Sequence, residues 1–414
     1  MALKDKIEAA NGEAVRRLLA ADPVLVDVAP ASEAVPGMRD RLILHSGPPV
    51  DWQRMCGAQR GAAIGMAIFE GWAKDAAEAE RLLASGGVSF EPNHHHGTVG
   101  PMAGTITANM WVFVVENRAF GNRARCRQVE SFQQFGDWSP KALEALAKWR
   151  DSWGPSLRAA VRAMGGIPLK PLMVKALQMG DEMHNRVVAS SSLLGNVVAP
   201  ELVKAGLPTG QLLDTLYYVG NHPFLFLALS MAAAKSVTDP ARGIPYSTVV
   251  TAMARNGTEF GIQVSGLDGE WFTAPSPRVE GLYQPGFSAS DAGLDMGDSA
   301  ITECAGWGGF VIGGAPGILS FVGGTPEQAL GWSRDMRSIC AGRSPDYLLP
   351  ALGFEGTAVG IDVRKVVQTG ILPVIDTAIA HREPGHPIIG AGLVRPPLEC
   401  FKKALVRFSE TYRG

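Results

Sequence analysis

The chain has 414 residues, 46% of them hydrophobic and 19% charged, with a formal net charge of −2. That length exceeds the roughly 250–300 residues at which single cores stop growing, so two or three subdomains are expected. A near-neutral chain without a run of Lys and Arg argues against nucleic acid or an anionic membrane as partner, since both need concentrated positive charge.

The opening segment MALKDKIEAANGEAVRRLLA reads as an amphipathic helix, over residues 6–21, and lacks the apolar core of a secretion signal. No stretch reaches the roughly 18–20 apolar residues needed to span a bilayer. Cys56, Cys126, Cys304, Cys340 and Cys400 are scattered with no CxxC spacing, which predicts a reducing compartment; a cytoplasmic location is expected.

In chain order, strands are predicted at 24–29 and 41–45, with a Pro- and Gly-containing loop between them. One long helix is predicted over 58–84, with Ile64, Ile68 and Trp72 as its apolar stripe and Ser85-Gly86-Gly87 as its stop. WVFVVEN (111–117) reads as a buried strand. Ser139 before Pro140 is an N-cap signal, and helical patterns follow to about Lys235, broken at Gly154-Pro155, Gly165-Gly166, Pro200 and Pro208. The apolar window from Pro223 to Ala234 reads as a buried helix. After about Pro245 the pattern mixes strands, turns and short helices, with a Thr325/Gln328 capping box and a core strand at 371–380.

Regular strand–helix alternation is missing, and so are GxGxxG in strand–turn–helix context and GxxxxGK[ST]. The predicted fold class is therefore α+β and multi-domain, not Rossmann. A mixed α/β subdomain over 1–135 and a mostly helical subdomain over 136–240 precede an α+β subdomain over 241–414.

Five segments carry candidate chemistry. In NHHHGTVGPMAG, three consecutive histidines cannot all enter a core, and in an extended segment His94 and His96 would share a side, opposite His95. Imidazoles there would transfer protons, bind an anion or ligate a metal; whether a metal binds is left open, since no carboxylate sits at recognisable ligand spacing. In FVVENRAFGNR, Asn117 and Arg118 sit at a strand's C-terminal end, a common site location. In GDEMHNRVVASSS, a helix would place Asp181 beside His184 and Glu182 beside Arg186, with Asn185 adjoining.

In TAMARNGTEFGI, Arg255 would clamp a carboxylate or phosphate, with Asn256, Thr258 and Glu259 forming the polar turn. Toward the C-terminus, GDSAITECAGWGG offers Asp298 and Ser299 with Thr302 and Glu303, GIDVRKV offers Asp362 and Arg364, and AHREPG offers His381 and Arg382. No GxSxG elbow and no cysteine-nucleophile motif occurs. The inventory suits transfer chemistry on a small anionic substrate, with arginines holding anionic groups and histidines, with Glu259, moving protons.

With these motifs the chain resembles the AllG/YlbE-like family. The resemblance runs from about Glu13 onward and rests on MCGAQRGAAIGMAIFEGWA, HHHGTVGPMAG, VFVVENRAFGNRA, MGDEMHNR, TAMARNGTEFGI, WFTAPSP, GDSAITE, GTAVGIDVRKVVQTGILPVIDTAIAHREPG and IGAGLVRPP. It implies a subunit of oxamate carbamoyltransferase, interconverting oxalurate plus phosphate with oxamate plus carbamoyl phosphate in allantoin and purine catabolism. It also implies companion subunits, one of them FdrA-like, and a multi-domain α+β fold with a helical part. No cofactor is expected, and a homo-oligomer is. Two alternatives stand beside this reading: a hydrolase or lyase of another small amide or ureido compound, and a non-catalytic subunit completing a partner's site.

Overall fold

The computed structural model describes residues 2–130 and 132–412. Helix Leu3–Ala20 follows from its amphipathic pattern and turns Ile7, Ala10, Ala14 and Leu18 inward. Strands Pro23–Pro30 and Leu42–His45 lie where alternation and β-branched content predict them, although the intervening loop contains a short helix, Ala31–Ala34. The long helix expected over 58–84 is instead two helices, Gly57–Phe69 and Ala76–Ala84. Gly71 breaks it with φ +73°, and Asp75 starts the second helix by accepting from the Glu78 backbone N–H. Glycine costs little in the left-handed region, and an Asp N-cap satisfies an otherwise orphaned donor.

Among the described residues, five small sheets stand in place of a continuous parallel sheet. The largest has the order Thr98–Val99, Asn122–Arg127, Trp111–Asn117, Pro23–Pro30, Ile167–Pro168. Only its first pair is parallel. A four-stranded antiparallel sheet runs Phe272–Pro275, Glu259–Val264, Val250–Asn256, Met296–Gly297. A three-stranded antiparallel sheet runs Glu280–Tyr283, Ile388–Val394, Ile375–Ala380. The architecture is α+β with no Rossmann pattern.

Against the first two of these sheets lies helix Leu225–Thr238, every residue of which is buried. It packs on the strands Trp111–Asn117 and Asn122–Arg127 and on the short helix Ile301–Cys304. A helix apolar on all sides belongs in a core. Its one charge, Lys235, is neutralised by Asp239 at 2.6 Å. The main core takes side chains from Ile7 to Phe408, so segments distant in sequence share one interior.

Two of the expected helix breaks do not occur. Gly154-Pro155 falls at the start of helix Gly154–Ala163, entered through a π-turn at Trp149–Trp153, and proline is tolerated in a first turn. Pro200 lies inside helix Val188–Lys204, which continues past it because Leu194, Val198 and Leu202 are buried on one face. The capping box at Thr325 and Gln328 forms as read.

Candidate active site

The loop between helices Leu169–Gln178 and Val188–Lys204 is wound around its own carboxylates. Asp181 accepts from the Ser190 backbone N–H at 2.8 Å and its hydroxyl at 2.9 Å, pinning the start of the second helix. Glu182 accepts from the backbone N–H groups of His184 and Arg186. Met183 between them sits at φ +74°, an uncommon conformation for a non-glycine residue. The GDEMHNR segment is therefore not the helix expected from its i,i+4 spacing. Glu182 spends its acceptors on local backbone, which competes with helix formation.

This loop delivers His184 to the buried carboxylates of Glu303 and Asp376. His184 Nδ1 is 2.9 Å from Glu303 Oε1 and 3.6 Å from Asp376 Oδ1, and all three side chains are at most 2% exposed. Glu303 also accepts from the Gly309 backbone N–H and the Thr302 hydroxyl, both at 2.9 Å. Among the described residues, neither Asp376 oxygen accepts from an N–H or hydroxyl donor. Its neighbours are His184 and the carboxyl of Glu182.

Burial opposes protonation of His184, but the charges of Glu303 and Asp376 outweigh it and raise its pKa. Burial pushes Asp376 up to about 6, against the pull of His184. Burial and the neighbouring Asp376 push Glu182 well above the carboxylate range. Each of these two adjoining buried carboxyls disfavours the ionised form of the other. Burial works to raise Glu303 as well, yet the paired imidazole holds it below its ordinary value.

The His184 ring lines an inner cavity of about 30 Å³, together with Asn185, Ser299 and Thr377. With Nδ1 held by Glu303, Nε2 is the nitrogen left for a ligand. Asn185, Phe224, Ala378 and Ile388 also line an outer cleft of about 650 Å³. Arg186 is the one charged residue in that cleft's lining, 3.1 Å from Asp181 and otherwise free to face an anion. Asn185 Nδ2 is buried without an acceptor among the described residues.

Arg255 stands behind the inner cavity and is committed to protein groups. Its Nε and Nη2 donate to the two Asp295 oxygens at 2.5 and 3.0 Å, Nη1 to Gly297 O at 2.8 Å, and Nη2 to Thr377 Oγ1 at 3.0 Å. It ties the strand Val250–Asn256 to the residues flanking Ser299 and Asp376.

The histidine run is a single 3₁₀ turn, Asn93–His96, rather than an extended segment, so His94 and His96 do not share a side. Three residues per turn sends consecutive side chains outward in different directions. His94 is buried with both ring nitrogens unpartnered, its Nε2 3.7 Å from Asp298 Oδ1, and burial holds its pKa well below the imidazole range. His95 Nε2 accepts from Trp271 Nε1 at 3.0 Å, and His96 bridges Pro36 O and Glu91. Asp298 accepts from Gly47 N–H at 2.8 Å and from Asn93 Nδ2 and Gly100 N–H at 2.9 Å, while burial pushes it up to about 6.

The remaining candidates lie elsewhere. Asn117 bonds Asp22, Ala119 and Ser236 backbone, and Arg118 bonds Gly165 O. Asn256 closes its hairpin turn by accepting from Thr258 and Glu259 N–H; Thr258 donates to Arg54 O, and Glu259 pairs with Arg54 at 3.2 Å. Asp362 and Arg364 form a cluster with Asn11 and Glu8 on the first helix. His381 packs against the tilted ring of His386, and Arg382 is exposed beside Glu383. None of these lines the cleft or the inner cavity. The structure instead brings His184, Asn185, Arg186 and Ser299 together with Glu303 and with Asp376, which the sequence reading passed over. Its signal was available: Asp376 is the only charge in the apolar run ILPVIDTAIA.

A model of the family described as oxamate carbamoyltransferase subunit AllG matches residues 88–299. The chain is 42% identical to "Oxamate carbamoyltransferase subunit AllG" of Escherichia coli K12, over 97% of each chain. It is 45% identical to "Uncharacterized protein YahG" of the same organism, over 99% of this chain and 88% of that one. A crystal structure of a conserved protein of unknown function from Enterococcus faecalis V583 superposes with TM-score 0.98 at 43% identity, covering 99% of both chains. No helix among the described residues is long and apolar enough to cross a membrane. With alignments that run almost end to end, the chain belongs to the AllG family.

Proposed function

We propose that this chain is the subunit of an oxamate carbamoyltransferase that carries the reacting groups, interconverting oxalurate plus phosphate with oxamate plus carbamoyl phosphate. The observation carrying this reading is the Asn185–Arg186 step, which joins an open cleft with one cation to a small cavity walled by His184. Arg186 holds the carboxylate or phosphate by charge-assisted hydrogen bonds. The unpaired Asn185 amide donates to the carbamoyl carbonyl, where negative charge develops as phosphate oxygen attacks the carbon. The bond from that carbon to the oxamate nitrogen breaks, and His184 Nε2 delivers the proton that nitrogen needs. Glu303 and Asp376 favour the imidazolium form required of such an acid. In the reverse direction the same nitrogen takes the proton back.

The reading includes companion subunits, one of them FdrA-like, for full activity, and a cytoplasmic, self-associating assembly. The test is phosphate-dependent cleavage of oxalurate by the purified chain, alone and with those subunits. Turnover in at least one combination, lost on His184→Ala with folding retained, is expected. No turnover in any combination of folded proteins would refute it.

A further inference from the structure

We propose that His184, Glu303 and Asp376 form a binding site for one divalent transition-metal ion, of the Mn²⁺ or Zn²⁺ class. This site does not depend on carbamoyl transfer being the reaction, because the cation is bound whatever the substrate.

The geometry supplies the first reason. One ligand atom from each residue lies within 4.8 Å of the others. Two ligands each about 2.1 Å from a common ion stand about 3.0–3.4 Å apart at octahedral to tetrahedral angles. His184 Nδ1 lies 2.9 Å from Glu303 Oε1 and 3.6 Å from Asp376 Oδ1, close to that range.

The second reason is the unmet demand of Asp376. It is fully buried, and among the described residues neither of its oxygens accepts from an N–H or hydroxyl donor. Buried carboxylates without donors or a cation are strongly disfavoured. Neither nearby guanidinium pairs with Asp376: Arg186 meets Asp181 and faces the outer cleft, and Arg255 is held by Asp295. Glu182, Glu303 and Asp376 are left sharing a single imidazole.

The third reason is room. Gly308 is at φ +60°, and a Cβ there would fall 2.1 Å from Glu303 Oε1 and 3.2 Å from Asp376 Oδ1. The chain keeps this side of the cluster free of side chain. Gly309 N–H donates to Glu303 Oε1 and the Thr302 hydroxyl to Oε2, which holds the carboxylate in place as outer partners of metal ligands do. One imidazole with two carboxylates suits Mn²⁺ or Zn²⁺ better than the all-oxygen shells of Ca²⁺ and Mg²⁺. An ion on Nδ1 takes the place of the proton that the imidazolium carries there, so the ion-bound form and the acid form of His184 are alternatives.

The test uses the full chain, stripped with chelator and titrated separately with Mn²⁺ and Zn²⁺. Bound metal is counted after gel filtration, and Mn²⁺ is followed by pulsed EPR. One ion per chain is expected, with ¹⁴N modulation from a bound imidazole that disappears in His184→Gln. Glu303→Gln and Asp376→Asn should each weaken binding by at least about 10- to 100-fold. No stoichiometric ion on folded wild type overturns the proposal. So does an ion whose affinity and nitrogen signal survive all three substitutions. If the carboxylate variants fail to fold, the wild-type EPR decides: nitrogen coupling supports the site, and an all-oxygen shell overturns it.

Discussion

Replacing Gly308 by alanine tests the packing around Glu303 with one methyl group. The added Cβ would meet Glu303 Oε1 at 2.1 Å and Glu303 Cδ at 2.7 Å, so the carboxylate must retreat by about 1 Å or more to restore van der Waals separation. That movement breaks its bonds to His184 Nδ1 and Gly309 N–H, both 2.9 Å. Hydrogen bonds to a charged group contribute about 1.5–3 kcal/mol each. Alanine in the left-handed region adds about 1–2 kcal/mol. A loss of about 4 kcal/mol or more is expected, a large share of the roughly 5–15 kcal/mol that typical domains possess. Urea unfolding followed by circular dichroism measures it. Gly331→Ala is the matched control, since Gly331 lies inside helix Pro326–Ile339 with nothing near its Cβ position and should gain about 0.5–1 kcal/mol. A Gly308→Ala protein within about 1 kcal/mol of wild type would show that Glu303 is not held as described.

Arg255→Ala should cost about 3–5 kcal/mol in the same assay, because it strands Asp295 as a buried charge; a near-neutral result would contradict the pairing. Phe226→Ala, in the fully buried helix, should cost about 3–5 kcal/mol by leaving a cavity. Arg186→Gln should raise KM for the anionic substrate about 10- to 100-fold, consistent with the loss of one charged hydrogen bond; an unchanged KM would remove Arg186 from the binding role. His45 is fully buried and held down to about 4, from an ordinary 6.5, by that burial. The unfolded chain therefore takes up this proton first as pH falls through 6.5, and stability present above that pH is lost on the way to 4. The contribution is about 2 kcal/mol at pH 5. Comparing His45→Gln with wild type at pH 7 and pH 5 isolates it, since the opposite-signed effect of Asp298 is common to both. Equal pH slopes would refute the assignment.

Local rules carried much of the secondary structure. Caps at Ser139 and Thr325, apolar strands such as Trp111–Asn117, and the apolar window before Ala234 depend on neighbours in sequence, and these elements form as read. The loop Gly180–Val187 was not legible because Glu182 folds back on its own backbone, which i,i+4 spacing does not reveal. His184 was visible as a candidate, whereas its partners Glu303 and Asp376 come from 119 and 192 residues further along the chain, and no local pattern joins them. Arg255 looked like an anion clamp because its type suits that task; its binding capacity is taken up by Asp295, 40 residues away.

Asp298 and Glu303 are separated by residues 299–302, which lead into the short helix Ile301–Cys304 that carries Glu303. One end is anchored to Gly47, Asn93 and Gly100, the other to His184 and Gly309. The segment thus works as a ruler whose length is set at both ends. Point substitutions inside it that preserve helix geometry leave the ruler intact, but inserting or deleting one residue there unhooks one anchor or the other. Among homologous chains, that spacing should tolerate exchange of residue type far better than any change of length.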